Sequence, residues 1–131
     1  MVDINENDTL YAIVAKMNEN MEQITVGKLG TFSFPKGIYV YVGSAKRNIK
    51  ARIERHLRKE KNFHWHFDYL RPYTEIVRIK TFPGDVGECG LFAQLRAEYG
   101  GEIIVPKFGS SDCSCPAHLF YISGNKRIPR L

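Results

Sequence analysis

Gly37-Ile-Tyr-Val-Tyr-Val-Gly-Ser44 is followed at once by a basic segment that runs to Lys61. The eight residues read as a β-strand. Side chains alternate across a strand, so Ile38, Val40 and Val42 point to one face and Tyr39, Tyr41 and Gly43 to the other. From Ser44 to Lys61 there are eight Lys/Arg residues and two acids, Glu54 and Glu60. That net +6 exceeds the +5 of the whole chain, so the remainder is about neutral. The positive charge therefore sits in one place, next to a strand that carries tyrosines.

The basic segment reads as a helix over about Asn48 to Lys59. At 100° per residue Ile49, Ile53 and Leu57 form its apolar stripe, with His56 at the edge and Arg52 beside it, one turn apart. Arg47, Arg55 and Arg58 are expected to point to solvent. With Lys46, Lys50 and Lys59 they form a surface for backbone phosphates, whose binding is salt-sensitive and largely blind to sequence. The competing reading is a solvated helix face, the usual fate of a Lys/Arg run.

Working outward, residues 1–8 read as a loose leader and Leu10-Tyr-Ala-Ile-Val-Ala15 as the first strand, with Tyr11, Ile13 and Ala15 on one face. Gln23–Val26 and Thr31–Phe34 read as short strands around a Gly27–Gly30 turn. The short links predict an antiparallel meander. Phe63-His-Trp-His-Phe-Asp-Tyr-Leu70 fits a short helix ended by Pro72. Glu75–Phe82 alternates like a strand. Gly87–Glu98 reads as a helix with Leu91, Leu95 and either Phe92 or Ala97 on its apolar face, closed by Gly100-Gly101. Ile103–Val105 is a short extended piece, Pro106–Pro116 a loop and Ala117–Ile122 the last strand. The fold class is α+β: a small, mainly antiparallel sheet of about three core strands plus a short extra strand or hairpin, flanked by helices. One domain spans residues 9–122, with a tail over 123–131.

Length and composition set limits. A chain of 131 residues with 44% hydrophobic and 25% charged side chains matches a single globular domain able to bury a core. No apolar run approaches the roughly 18–20 residues of a bilayer span, and the acidic, polar start is not a signal peptide. A cytoplasmic protein with reduced thiols is expected, since three cysteines make no disulfide framework. A pI near 9.2 with clustered charge points to a polyanion, nucleic acid before membrane.

Two metal readings arise from the residues. His64, His66 and Asp68 form an H-x-H-x-D pattern; against this stands local capping around Trp65. Cys113, Cys115 and His118 with Cys89 can be drawn as a zinc set, although C-x-C is tighter than the usual structural spacing. Glu88 by itself is a common helix-start residue, favoured there by the helix dipole.

Taken together, Tyr41-Val-Gly-Ser-Ala45, Arg52 and Arg55-His56 resemble the second half of the signature of the GIY-YIG endonuclease superfamily. The ordered set Tyr41–Ala45, Arg55–Arg58, His64–Leu70, Glu88-Cys89 with Leu91, and Gly109–Cys115 is similar to its small single-domain Uri-type branch. The literal letters Gly37-Ile-Tyr39 cannot be the first motif if the two motifs occupy adjacent strands. Only Val40 separates Tyr39 from Tyr41, and even a tight hairpin needs a turn and a second strand. The first-motif tyrosine is then Tyr11, without the glycine-isoleucine that precedes it in the family.

The resemblance implies a GIY-YIG-like nuclease domain and a metal-dependent endonuclease acting on phosphodiesters, DNA before RNA. Glu88 would bind one Mg²⁺ (or Mn²⁺). Tyr11 would take the proton of the attacking water, its phenol acidified from about 10 by Arg52 or the metal. Arg52 would stabilise charge on the phosphate, and Tyr41 and His56 would orient the water. Tyr39, His64, His66 and Asp112 are further candidates at the site. The alternative is a catalytically silent nucleic-acid-binding module of DNA repair on the same fold. Oligomeric state is not readable from the sequence.

Overall fold

The computed structural model describes residues 2–110, 114–123 and 126–131. Its elements are strands β1 (Val2–Asp3), β2 (Leu10–Met17), β3 (Met21–Val26), β4 (Gly30–Phe34), β5 (Gly37–Ser44), β6 (Glu75–Phe82) and β7 (Leu119–Ser123), with helices α1 (Ile49–Leu57), α2 (His66–Leu70) and α3 (Gly87–Tyr99). The fold is α+β: a five-stranded mixed sheet in the order β1-β6-β2-β5-β7, a separate β3-β4 hairpin, and helices on both faces.

The tyrosine strand lies inside this sheet. β5 pairs antiparallel with β2 from Leu10↔Ser44 to Met17↔Gly37, and with β7 on its other edge. β6 adds antiparallel to β2, with a register shift between Val14 and Ala15. Two expectations are corrected here. The chain is not a simple meander, because β3 and β4 leave the main sheet and pair only with each other. Their alternation explains it: Ile24, Val26 and Phe34 are buried against the tyrosine face of the sheet, so the hairpin acts as a covering layer. Nor is the leader loose. Val2 and Asp3 pair parallel with Ile79 and Lys80, and Asn5 N–H donates to Thr81 Oγ1 at 2.8 Å.

Each face of the sheet has its own core. Tyr11, Ile13, Ala15, Tyr39 and Tyr41 pack with Ile49 and Ile53 of α1, Phe67 and Leu70 of α2, and the hairpin. Leu10, Ala12, Val14, Ile38, Val40 and Val42 pack with Leu91, Phe92 and Leu95 of α3. Full burial of side chains such as Ile53 and Phe67 stabilises by roughly 2 kcal/mol each. On α3 it is Phe92, not Ala97, that completes the apolar face, and Gly100, at φ +64, closes the helix in the left-handed region. The short extended piece expected over 103–105 forms no strand; beside it Glu102 makes a single bridge with Tyr121.

Helices α1 and α3 lie on opposite faces, yet both begin at the same end of the sheet. Leu10 pairs with both Ser44 and Phe82, so the start of β2 and the ends of β5 and β6 are level there. Asn48 starts α1 in a left-handed conformation, its side chain accepting from Ala51 N–H at 3.3 Å. Asparagine tolerates that backbone better than most residues. Among the described residues no helix is long and apolar enough to cross a membrane.

Candidate functional site

A cavity of about 310 Å³ opens at that end of the sheet. Its floor is Tyr11 of β2 with Tyr41, Gly43 and Ser44 of β5. Arg52, Trp65, Glu88, Gly109, Ser110 and His118 complete its lining. A larger cleft of about 720 Å³ lies beside Lys16, Lys36 and Lys126, but no acid or histidine lines it. Size therefore does not select the site; the convergence of unlike chemical groups does.

Tyr11 is almost fully buried, and its Oη is 2.7 Å from His56 Nε2. Gly43 makes room for it: a Cβ on Gly43 would stand 2.5 Å from Tyr11 Oη. Tyr41 stacks on Phe67, with centroids 5.1 Å apart and planes at 17°. Gly109, with φ +75, lets a loop pass close over it, since a Cβ there would lie 2.9 Å from Tyr41 Cε1.

Arg52 is held on two sides. Its Nη1 donates to Ser44 O at 2.9 Å, and its guanidinium sits 4.3 Å from the Trp65 ring centroid. Such cation–π contacts are worth about 0.5–2 kcal/mol and fix the direction of the planar fork. Arg55 lies 4.5 Å from the same ring.

Burial decides the protonation states. It pushes the Tyr11 phenol well above its usual range; the nearby Arg52 charge opposes this and loses. Tyr41 is raised for the same reason. The acidification of Tyr11 expected from Arg52 is thus present as a pull but is outweighed. Burial also drives the His56 imidazole down to about 3, against the pull of Asp68, so it is neutral near pH 7. His56 Nδ1 has no hydrogen-bond partner among the described residues.

The candidates read from the sequence divide as follows. Tyr11, Tyr41, Arg52 and Glu88 line the cavity, and His56 stands behind Tyr11. Lys46, Arg47, Lys50, Arg58 and Lys59 are exposed. Arg55 does not point freely to solvent: Nη1 and Nη2 bind both oxygens of buried Asp68, at 3.1 and 3.0 Å. Tyr39 lies outside the cavity, beside Tyr121, its hydroxyl donating to Pro35 O. Asp112, with Ser111 and Cys113, falls outside the described residues.

Both sequence-derived metal sets are corrected. Asp68 is fully buried and accepts from His64 N–H and Trp65 N–H at 2.7 and 2.9 Å, besides Arg55, with Lys61 Nζ 3.4 Å away. Burial tends to raise its carboxyl, but these donors hold it below its usual value. Its side chain, at the third position of α2, closes back on the backbone of the N-cap residue Trp65 rather than standing as a ligand beside two imidazoles, and His66 Nδ1 accepts from Gly109 N–H at 2.7 Å. The cysteines are not all reduced either, since Cys89 and Cys115 form a disulfide. They are 26 residues apart, one in α3 and the other in the loop before β7, so no local spacing signals the pair. Gly43, Trp65, Ser110 and His118 also line the cavity without having been assigned to it from sequence. Gly43, Trp65 and Ser110 sat inside the quoted motifs and His118 in the cysteine–histidine set, but nothing local in the sequence placed them at one cavity.

The model of the family described as Domain of unknown function DUF123 matches residues 10–130. The chain belongs to the DUF123 family. No curated protein and no solved structure matches this DUF123 chain. The match also corrects the resemblance to the GIY-YIG superfamily and its Uri-type branch, because the family found across most of the chain is DUF123 and no named nuclease stands beside it. An ordered set of short motifs, Tyr41–Ala45, Arg55–Arg58, His64–Leu70, Glu88-Cys89 with Leu91 and Gly109–Cys115, carried that resemblance.

Proposed function

We propose that this DUF123 chain is a divalent-metal-dependent endonuclease that hydrolyses phosphodiester bonds, in DNA before RNA, using the sheet and its flanking helices as a nuclease scaffold. One observation carries the reading: two tyrosines, an arginine and a carboxylate from four different elements line one cavity, next to the exposed basic residues around α1.

The residues fit a hard cation. Glu88 has a side chain 35% exposed and faces the cavity, and Ser110 Oγ is buried at the same cavity without a hydrogen-bond partner among the described residues. One carboxylate and one hydroxyl, completed by water, suit Mg²⁺ or Mn²⁺. A cation held by Glu88 and Ser110 supplies positive charge that stabilises the developing phosphate charge and, with Arg52, lowers the cost of a phenolate at Tyr11. Arg52 binds a non-bridging phosphate oxygen, its fork already aimed by Ser44 O and Trp65. Tyr11 orients the attacking water and, as phenolate, takes its proton. In its Nε2–H tautomer His56 donates to Tyr11 Oη and supports the anion. Tyr41 completes the floor. Lys46, Arg47, Lys50, Arg58 and Lys59 hold flanking phosphates.

A second reading has its own support. Both phenols are pushed up by burial, which keeps them protonated near neutral pH and leaves little phenolate to take a proton, and this favours a nucleic-acid-binding module of DNA repair that does not cut. A cleavage panel of supercoiled plasmid, flap, single-stranded and RNA substrates with Mg²⁺ or Mn²⁺ separates the two. Wild type should nick DNA, and Glu88→Ala should abolish nicking while retaining binding. Nicking that survives Glu88→Ala removes Glu88 from the mechanism; salt-sensitive binding with no nicking by wild type leaves the binding module.

A further inference from the structure

Cys89, Cys115 and His118 bring three metal-ligating atoms within 4.8 Å of one another. His118 Nε2 is 2.8 Å from Cys115 Sγ and 3.8 Å from Cys89 Sγ. Its other ring nitrogen, Nδ1, is 3.5 Å from Glu88 Oε2. We propose that, once the Cys89–Cys115 bond is reduced, these three residues form a binding site for a thiophilic divalent cation of the zinc class, with Glu88 orienting His118 through Nδ1. The site takes other ligand atoms than the hard-cation site, which it adjoins through Glu88, and does not rest on the nuclease reading.

The three donors are placed by backbone that does not depend on the S–S bond. Cys89 stands in the first turn of α3. His118 N–H donates to Phe108 O at 2.7 Å, and Val42 N–H donates to His118 O at 2.9 Å, which ties the histidine to β5. Lys107 N–H donates to Pro116 O at 2.7 Å, next to Cys115. Two thiolates and an imidazole select zinc-class ions over Mg²⁺, which prefers oxygen. A carboxylate behind the ligating imidazole sets its tautomer and is the common companion of such sites. Access is open: Cys89 and Cys115 also line a cavity of about 370 Å³ that includes Arg96 and Gly101.

The chemistry balances with a phosphine as reductant. Phosphorus gives two electrons to the S–S bond, and water supplies the two thiol protons and the oxygen of the phosphine oxide. Binding of the cation then releases the two thiol protons to solvent. Oxidation by a disulfide or peroxide reverses the state and expels the ion.

Co²⁺ is the probe. The phosphine-reduced full chain, titrated without oxygen, should bind one Co²⁺ with a thiolate-to-cobalt charge-transfer band and tetrahedral d–d bands, bleached by Zn²⁺. The oxidised chain should show neither. Cys89→Ser and Cys115→Ser should each remove the charge-transfer signature of a two-thiolate site. Glu88→Gln should keep the spectrum and weaken affinity about 10-fold. A reduced, folded wild type with no charge-transfer band would overturn the proposal, as would equal binding by the oxidised chain. A measurement free of variants guards against misfolding: Zn²⁺ should protect Cys89 and Cys115 of the reduced wild type from alkylation, read by peptide mass, and equal labelling with and without Zn²⁺ refutes the site. None of these readouts uses cleavage, so a failure here is separate from a failure of the nuclease proposal.

Discussion

Tyr11 Oη and His56 Nε2 are 2.7 Å apart in the interior, and the imidazole is uncharged there because burial holds it near 3, below its ordinary 6.5. Unfolded chain binds a proton at His56 below about pH 6.5, while folded chain does not until about pH 3. The stability this group contributes is therefore complete above 6.5 and is lost as pH falls toward 3. The slope is at most about 1.4 kcal/mol per pH unit. Urea midpoints measured across this range should fall for wild type and fall less steeply for His56→Gln. Asp68 acts in the same direction in both proteins, so the difference isolates His56. Equal slopes would mean that the imidazole is not held neutral by the fold.

Gly43 stands under the phenol of Tyr11 with no room for a methyl group, which would meet Oη and Cζ at 2.5 Å. Gly43→Ala must displace the ring and is expected to cost about 1–3 kcal/mol of stability, the range for overpacking. It should also lower nicking about 100-fold, since small misplacements of a reacting group carry such penalties. A thermal melt and a plasmid assay on the same preparation test both parts. Nicking at the wild-type rate would show that the chemistry does not need the phenol where β2 places it.

Much of this fold was legible in the sequence because strand alternation and helical periodicity are local properties. β5, α1 and α3 follow from Ile38/Val40/Val42, from Ile49/Ile53/Leu57 and from Leu91/Leu95. Pairing is not local. Nothing in Gln23–Val26 says that its strand leaves the sheet, and nothing in Val2-Asp3 announces a parallel partner 77 residues away, at Ile79 and Lys80. The same limit governs the site. Tyr11 and Tyr41 are visible as strand tyrosines, and Arg52 as a boundary residue of a basic helix. That Glu88 reaches them from a helix on the opposite face depends on where β6 ends. Cys89 and Cys115 meet for a similar reason, one at the start of α3 and the other just before β7.

Arg55 and its basic neighbours at and before α1 look alike in sequence but have different surroundings. Lys46 and Lys50 are exposed, whereas Arg55 is bound to Asp68. Lys46→Ala with Lys50→Ala should weaken duplex DNA binding and reduce the slope of log affinity against log salt by about 2, roughly one per lost phosphate contact. Arg55→Ala should leave that slope unchanged and lower the melting temperature instead. Fluorescence anisotropy over a salt series, paired with melts, reads both effects. A salt slope reduced by Arg55→Ala would place its guanidinium on the nucleic acid.

Asp68 is fully buried and is the most strongly committed carboxylate among the described residues, receiving Arg55, His64 N–H and Trp65 N–H with Lys61 close by. Asp68→Asn leaves the nearly buried Lys61 ammonium and half-buried Arg55 without a counter-charge. Breaking one partner of such a pair typically costs about 3–5 kcal/mol. The damage should also reach the cavity, because Trp65, whose backbone Asp68 fixes, is the ring that orients Arg52. His64→Ala, by contrast, keeps the backbone N–H that Asp68 uses and removes only an exposed ring, so its cost should stay within about 0.5 kcal/mol. Chemical denaturation of the two variants, with and without Zn²⁺, tests both the cap and the rejected H-x-H-x-D metal reading. A Zn²⁺-dependent stabilisation that vanishes in His64→Ala would restore the imidazole as a ligand; the hydrogen bonds around Asp68 predict none.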